Sequence, residues 1–135
     1  MIQNYNGYKV LEQFLNNQLK GFKLREISKN LRLGLPSVSN YIKQLEKEHL
    51  IVKKEVYGMK LYFANRENSK FKIYKIQDSK TRLDSSGLIE LLEKELNYPT
   101  IVLFGSKAKG EDTEKSDYDL AVFTETKREL NLNNF

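Results

Sequence analysis

Two short stretches in the last third of this 135-residue chain carry residue types suited to phosphate and metal chemistry: Gly105-Ser106 and Asp117-Tyr118-Asp119. In a strand, residues i and i+2 point to the same face, so Asp117 and Asp119 are expected side by side at ~7 Å Cα spacing. Two adjacent carboxylates repel one another, and a bound divalent cation relieves the repulsion. Oxygen donors of this kind suit Mg²⁺ or Mn²⁺. Gly105 lets the backbone approach a ligand closely because it has no Cβ. Ser106 and the amides after it, opening a short helix, can hydrogen-bond phosphate oxygens. Lys107 and Lys109 add positive charge nearby. Phosphates on one side and metal ligands on the other would position an in-line attack at an α-phosphate.

Positioning those groups takes two strands and a turn. Residues 100–104, TIVLF, are a short apolar run fit for a buried central strand, and they lead straight into GSKAKG at 105–110. After the polar loop 111–115, the stretch SDYDLAVF at 116–123 reads as a second strand. Upstream, Leu88, Ile89, Leu91, Leu92 and Leu96 mark an amphipathic helix that ends near Asn97-Tyr98-Pro99. A lone Asp-x-Asp or a lone Gly-Ser is a weak signal, whereas the order strand, GS, helix-sized gap, SDxDL, strand is specific.

The constellation G-S-K-A-K-G-x5-S-D-Y-D-L resembles the signature of the DNA polymerase beta nucleotidyltransferase superfamily, over about residues 88–124. Within it the likeness is to the minimal nucleotidyltransferases, which often form antitoxin or regulatory modules in archaea and bacteria. The resemblance implies that Gly105 and Ser106, with Lys107 and Lys109 beside them, bind the phosphates of an NTP, ATP foremost. It also implies that Asp117 and Asp119 are catalytic ligands to Mg²⁺ (or Mn²⁺). The family further uses a third carboxylate on a later strand, commonly the base that activates the acceptor hydroxyl. Here Glu125 and Glu129 follow, neither on an evident strand, and residues 124–130 read as a helix or a frayed end. The expectation is therefore a partial α/β nucleotidyltransferase fold with a mixed sheet, in a chain that is either C-terminally truncated or naturally without the third acid.

The net charge of +5 is unevenly placed. Residues 1–66 hold 12 Lys+Arg against 5 Asp+Glu, or +7, and residues 67–135 hold 11 against 13, or −2. A basic front half is the footprint of a phosphate-backbone binder. Its apolar pattern is helical at Val10, Leu11, Phe14 and Leu15, and again at Leu24, Ile27 and Leu31, with Gly34 at a natural stop. A third helix over about 36–49, opened by Pro36, puts Val38, Tyr41, Ile42 and Leu45 on one face. Two strand-like runs follow around Gly58, a hairpin signal.

Three helices and a hairpin resemble the winged helix-turn-helix DNA-binding family over about residues 6–65. The resemblance implies a third helix in the major groove of double-stranded DNA, with Ser37, Ser39, Asn40 and Lys43 reaching bases or phosphates. It also implies Lys53, Lys54 and Lys60 on the wing against phosphates, with salt-sensitive affinity. Winged helices also serve as protein-interaction modules, and that alternative stays open here.

The expected fold class is α+β in three parts: a winged helix-turn-helix at 1–66, a connecting helix or linker at 67–87, and a partial nucleotidyltransferase domain at 88–135. In the connector, Phe71, Tyr74 and Asp78 share a helical face. Such helices often dimerise, so a homodimer is a further expectation, as is a toxin-like protein partner by family analogy. Cysteine is absent, which excludes thiolate metal sites and disulfides, and no run is long enough to cross a bilayer. The expected location is cytoplasmic. Two functions stand side by side: an enzyme transferring a nucleoside monophosphate, and a DNA-binding regulator whose second half binds nucleotide or a partner without turnover.

Overall fold

The computed structural model describes residues 5–135 and has an α+β architecture. In chain order its elements are α1 (Asn6–Asn16), α2 (Leu24–Leu31), α3 (Leu35–Lys47), β1 (Ile51–Val56), β2 (Met59–Ala64), α4 (Ser69–Ser85), α5 (Leu88–Glu95), β3 (Thr100–Phe104), α6 (Gly105–Lys109) and β4 (Asp119–Phe123). Contacts divide the chain into two compact units, Met1–Lys72 with Thr113–Lys115 and Ile73–Asp112 with Ser116–Phe135. The division falls inside α4. Among the described residues no helix is long and apolar enough to cross a membrane.

The first unit follows from helical periodicity. Val10, Leu11, Phe14 and Leu15 of α1, Ile27 of α2, and Val38, Ile42 and Leu45 of α3 are all buried, as residues spaced three and four apart on one face must be. Phe14 meets Phe22 edge-on at 5.3 Å between centroids, and Phe22 exchanges backbone hydrogen bonds with Tyr62 of β2. The stop of α2 differs from expectation. The helix ends at Leu31, and Arg32 takes the left-handed turn at φ 53. Leu33 N–H closes that turn on the Ser28 carbonyl at 3.1 Å. Gly34 is extended and opens α3 instead, with Pro36 in the first turn where its missing N–H costs nothing. β1 and β2 pair antiparallel from Ile51↔Ala64 to Val56↔Met59. Tyr57 at φ 49 and Gly58 at φ 74 make the two-residue turn whose backbone twist matches that of the strands.

The connector is helical, but its buried face is not the one apolar residues suggest. Along α4 the withdrawn side chains are Phe71, Lys75, Asp78, Ser79 and Leu83. They fall at helical spacing with polar groups in the middle, while Tyr74 is only half-buried.

The second unit departs from expectation in its sheet and in both strands. Its sheet is two-stranded and antiparallel, Thr100↔Phe123 through Phe104↔Asp119, and not mixed. The loop after α6 reverses the chain, and no further strand follows β4 among the described residues. β3 is consequently not a buried central strand: Ile101 and Leu103 are half-buried on one face, while Val102 and Phe104 are 43% and 50% exposed on the other. β4 begins at Asp119, three residues later than expected, because the ladder ends where Gly105 turns the opposite strand into α6 at φ 74. The tail after Phe123 forms no helix. Its apolar residues have no periodic face to bury, and the Thr124 and Thr126 hydroxyls instead donate to the Leu96 carbonyl at 3.3 and 3.4 Å.

Candidate nucleotide and metal site

The end of the β3–β4 ladder brings the glycine of one motif against the acid of the other. Phe104 pairs with Asp119, and the next residue, Gly105, has its Cα under the Asp119 side chain. A Cβ on Gly105 would stand 3.1 Å from Asp119 Cγ and 3.4 Å from its Cβ, and closer still to Oδ2. Glycine is therefore required twice here, for its positive φ and for the space the carboxylate occupies. Ser106 follows, half-buried in the single turn of α6, and Lys109 ends that turn in solvent.

Asp117, Tyr118 and Asp119 alternate in exposure: the two acids face solvent and the tyrosine between them is partly withdrawn. The Tyr118 hydroxyl donates to the backbone carbonyl of Ser79 on α4 at 2.8 Å. Burial raises its pKa above 10.0; Arg82 opposes that rise, and Asp78 and Asp112 add to it. The phenol thus stays a donor at neutral pH. Lys107 Nζ lies 4.5 Å from the centre of the Tyr118 ring. The same ammonium donates to Asp112 Oδ2 at 3.1 Å, and Lys75 Nζ reaches that oxygen at 3.0 Å. Asp112 is fully buried, and its Oδ1 makes no hydrogen bond. Lys107, read from the sequence as a phosphate neighbour, is only 12% exposed and is engaged with this acid. Lys75, Ser79 and Asp112 escaped the sequence reading. Lys75 and Ser79 stand one turn apart on α4, the only hint available, while Asp112 looks no different in sequence from Glu111 or Glu114.

Among the described residues no group of three or more His, Cys, Asp or Glu side chains is arranged to hold a metal. Glu125 and Glu129 lie beyond β4, exposed. Two solvent-facing carboxylates cannot form an all-protein cage. They do suit Mg²⁺, which commonly takes one or two protein carboxylates and completes its shell with phosphate oxygens and water.

A family model, "Polymerase beta, Nucleotidyltransferase", matches residues 86–135. Over this span the chain is similar to nucleotidyltransferases. No curated protein and no solved structure gives a significant match to the chain. The matched span takes in β3, the Gly105 turn and β4, so both candidate motifs lie inside it. Lys75 and Ser79, which hold Asp112 and Tyr118, lie outside it.

The residues expected at DNA sit in the first unit, remote in sequence from the matched span. Ser37, Asn40 and Lys43 are exposed on α3 and Ser39 is half-buried, opposite the buried Val38 and Ile42. The hairpin register separates the wing lysines. Lys53 and Lys60 share one face, through the pairs Lys53↔Tyr62 and Glu55↔Lys60. Lys54 points from the other, its Nζ 5.4 Å from the Phe63 ring centre. Tyr57, at the tip, is 98% exposed.

Proposed function

We propose that the chain joins a DNA-binding winged helix-turn-helix to a nucleotidyltransferase module that moves a nucleoside monophosphate from an NTP, ATP foremost, to an acceptor hydroxyl. The observation that carries this reading is the seating of the Asp119 carboxylate on Gly105 within the span that matches the family. In the reading, Gly105 leaves its backbone open to a phosphate, the Ser106 hydroxyl donates to a phosphate oxygen, and exposed Lys109 adds charge. Asp117 and Asp119 hold Mg²⁺ or Mn²⁺, which when bound supplies charge neutralisation at the phosphates. Labelled nucleotide transfer in Mg²⁺ tests it: Asp117→Asn and Asp119→Asn each abolish transfer. Full transfer by both variants sinks the reading.

A second reading is favoured by two specific observations. No third acid joins the pair among the described residues, and the first 66 residues carry +7. In this reading the chain is a DNA-binding regulator, antitoxin-like, whose second half binds nucleotide or a partner protein without turnover. Ser37, Asn40 and Lys43 contact bases or phosphates, and Lys53 and Lys60 contact phosphates from their shared face of the wing. Duplex binding then weakens with salt and with Lys43→Ala or Lys53→Ala. Binding that ignores both substitutions removes the winged helix from the account.

A further inference from the structure

We propose that α4 is a working part of the nucleotide site: its Lys75 and the Ser79 carbonyl hold Asp112 and Tyr118, and these, with Lys107, keep Asp119 seated on Gly105 and Asp117 turned to solvent. What the two carboxylates then do rests on the nucleotidyl-transfer reading. Lys75, Lys107, Asp112 and Tyr118 are positioning residues that touch no reacting atom.

The loop between Gly110 and Tyr118 reads EDTEKSD and has no apolar side chain. Hydrophobic burial cannot therefore set its path. Asp112 is nevertheless withdrawn completely, and a carboxylate out of water persists only where it is paired. Its two partners come from different places in the chain, Lys75 from α4 and Lys107 from the turn that begins at Gly105. One buried oxygen thus ties α4 to the glycine-serine turn. Six residues on, Tyr118 ties the entry of β4 to α4 a second time. Lys107 belongs to both ties, since its ammonium reaches Asp112 and also lies against the Tyr118 ring.

Two lysines on one aspartate are a poor way to gain stability, because an apolar filling of similar volume usually does as well or better. What this cluster supplies is direction. It ends on the residue between the two acids, and turning Tyr118 toward α4 leaves both neighbours facing solvent, with Asp119 seated on Gly105. α4 precedes the family-matched span, so the module depends on a helix that the match does not cover.

Tyr118→Phe, Lys75→Met and Lys75→Arg in the full chain test the proposal, with amide hydrogen exchange and Mn²⁺ titration as readouts. Tyr118→Phe retains the ring and the circular dichroism spectrum, speeds exchange across residues 112–119, and weakens Mn²⁺ binding about tenfold. Lys75→Met does the same, and Lys75→Arg restores most of the loss. Unchanged exchange and unchanged Mn²⁺ affinity in Tyr118→Phe overturn the proposal, whatever Lys75→Met does to folding. Weakened Mn²⁺ binding with unchanged exchange also overturns it, since the loop would then not be the cause. If the wild-type chain binds no Mn²⁺, with or without ATP, while exchange still quickens in the variants, the positioning role stands and the nucleotidyl-transfer reading falls.

Discussion

In the first unit the interior is built from Val10, Leu11, Phe14, Leu15, Phe22, Ile27, Val38, Ile42 and their neighbours, with Gln18 as the polar exception among the described residues. In the second, Leu83, Leu92 and Leu96 share the interior with Lys75, Asp78, Ser79 and Asp112. The contrast separates two ways of holding a chain. An apolar interior is stabilised by area removed from water and tolerates volume-conserving swaps of one apolar side chain for another. A polar interior adds little net stability, yet each of its contacts has a required angle and partner. The first unit is thus set up for robustness, and the second for aiming two carboxylates.

The comparison is broken most forcefully by one substitution in each interior. Phe14→Ala should cost about 3–5 kcal/mol in denaturant unfolding of the first unit, through lost burial and a residual cavity, and leave Mn²⁺ binding by the second unit intact. Asp112→Asn should cost about 3 kcal/mol in the second unit, because it leaves two withdrawn ammoniums without their counter-charge. If Asp112→Asn unfolds at the wild-type denaturant midpoint, the polar interior is not the support described here.

A finer contrast uses two glycines at the same φ of 74, Gly58 and Gly105. A Cβ at Gly58 meets nothing within 4 Å, whereas one at Gly105 meets the Asp119 carboxylate. Gly58→Ala should therefore report left-handed strain alone, about 1–2 kcal/mol. Gly105→Ala should cost more than that and displace Asp119, lowering Mn²⁺ affinity as well. Equal costs with unchanged Mn²⁺ binding would mean that the carboxylate moves aside freely.

The smallest effect is spectroscopic. Tyr118 has its pKa raised above 10.0 by burial, so the folded chain keeps this proton where the unfolded chain has lost it. The associated stability is present below about pH 10 and is lost as pH rises through the folded value. Absorbance at 295 nm should show one phenolate that titrates late in the wild type and is missing from Tyr118→Phe.

These two interiors also explain what could be read from the amino acids. Periodicity detects apolar side chains, so α1, α3 and the residues 100–104 of β3 were legible, and the amphipathic pattern from Leu88 marked α5. The same rule is blind to α4's buried face, since Lys75, Asp78 and Ser79 look like a solvated surface until their partners are known. Order along the chain was enough to bring Gly105 and Asp119 together, because a strand, a turn and a returning strand leave few alternatives. It could not reveal that Lys107 turns to Asp112, a contact between residues whose types are common everywhere. The α2 stop differs for another reason: Arg32 takes the left-handed turn two residues before Gly34, stabilised by the local bond from Leu33 to Ser28.

Lys75 and Ser79 are four residues apart, about 6 Å along a helix and on nearly the same side. α4 therefore acts as a gauge with two marks, one for Asp112 and one for Tyr118. The second mark is a main-chain carbonyl, so it does not depend on the Ser79 hydroxyl. Spacing cannot: inserting or deleting a single residue between the marks rotates one against the other by about 100°. Changes in the length of this helix should be accommodated before Lys75 or after Ser79, and a chain lengthened between them would need a new way to aim its acids.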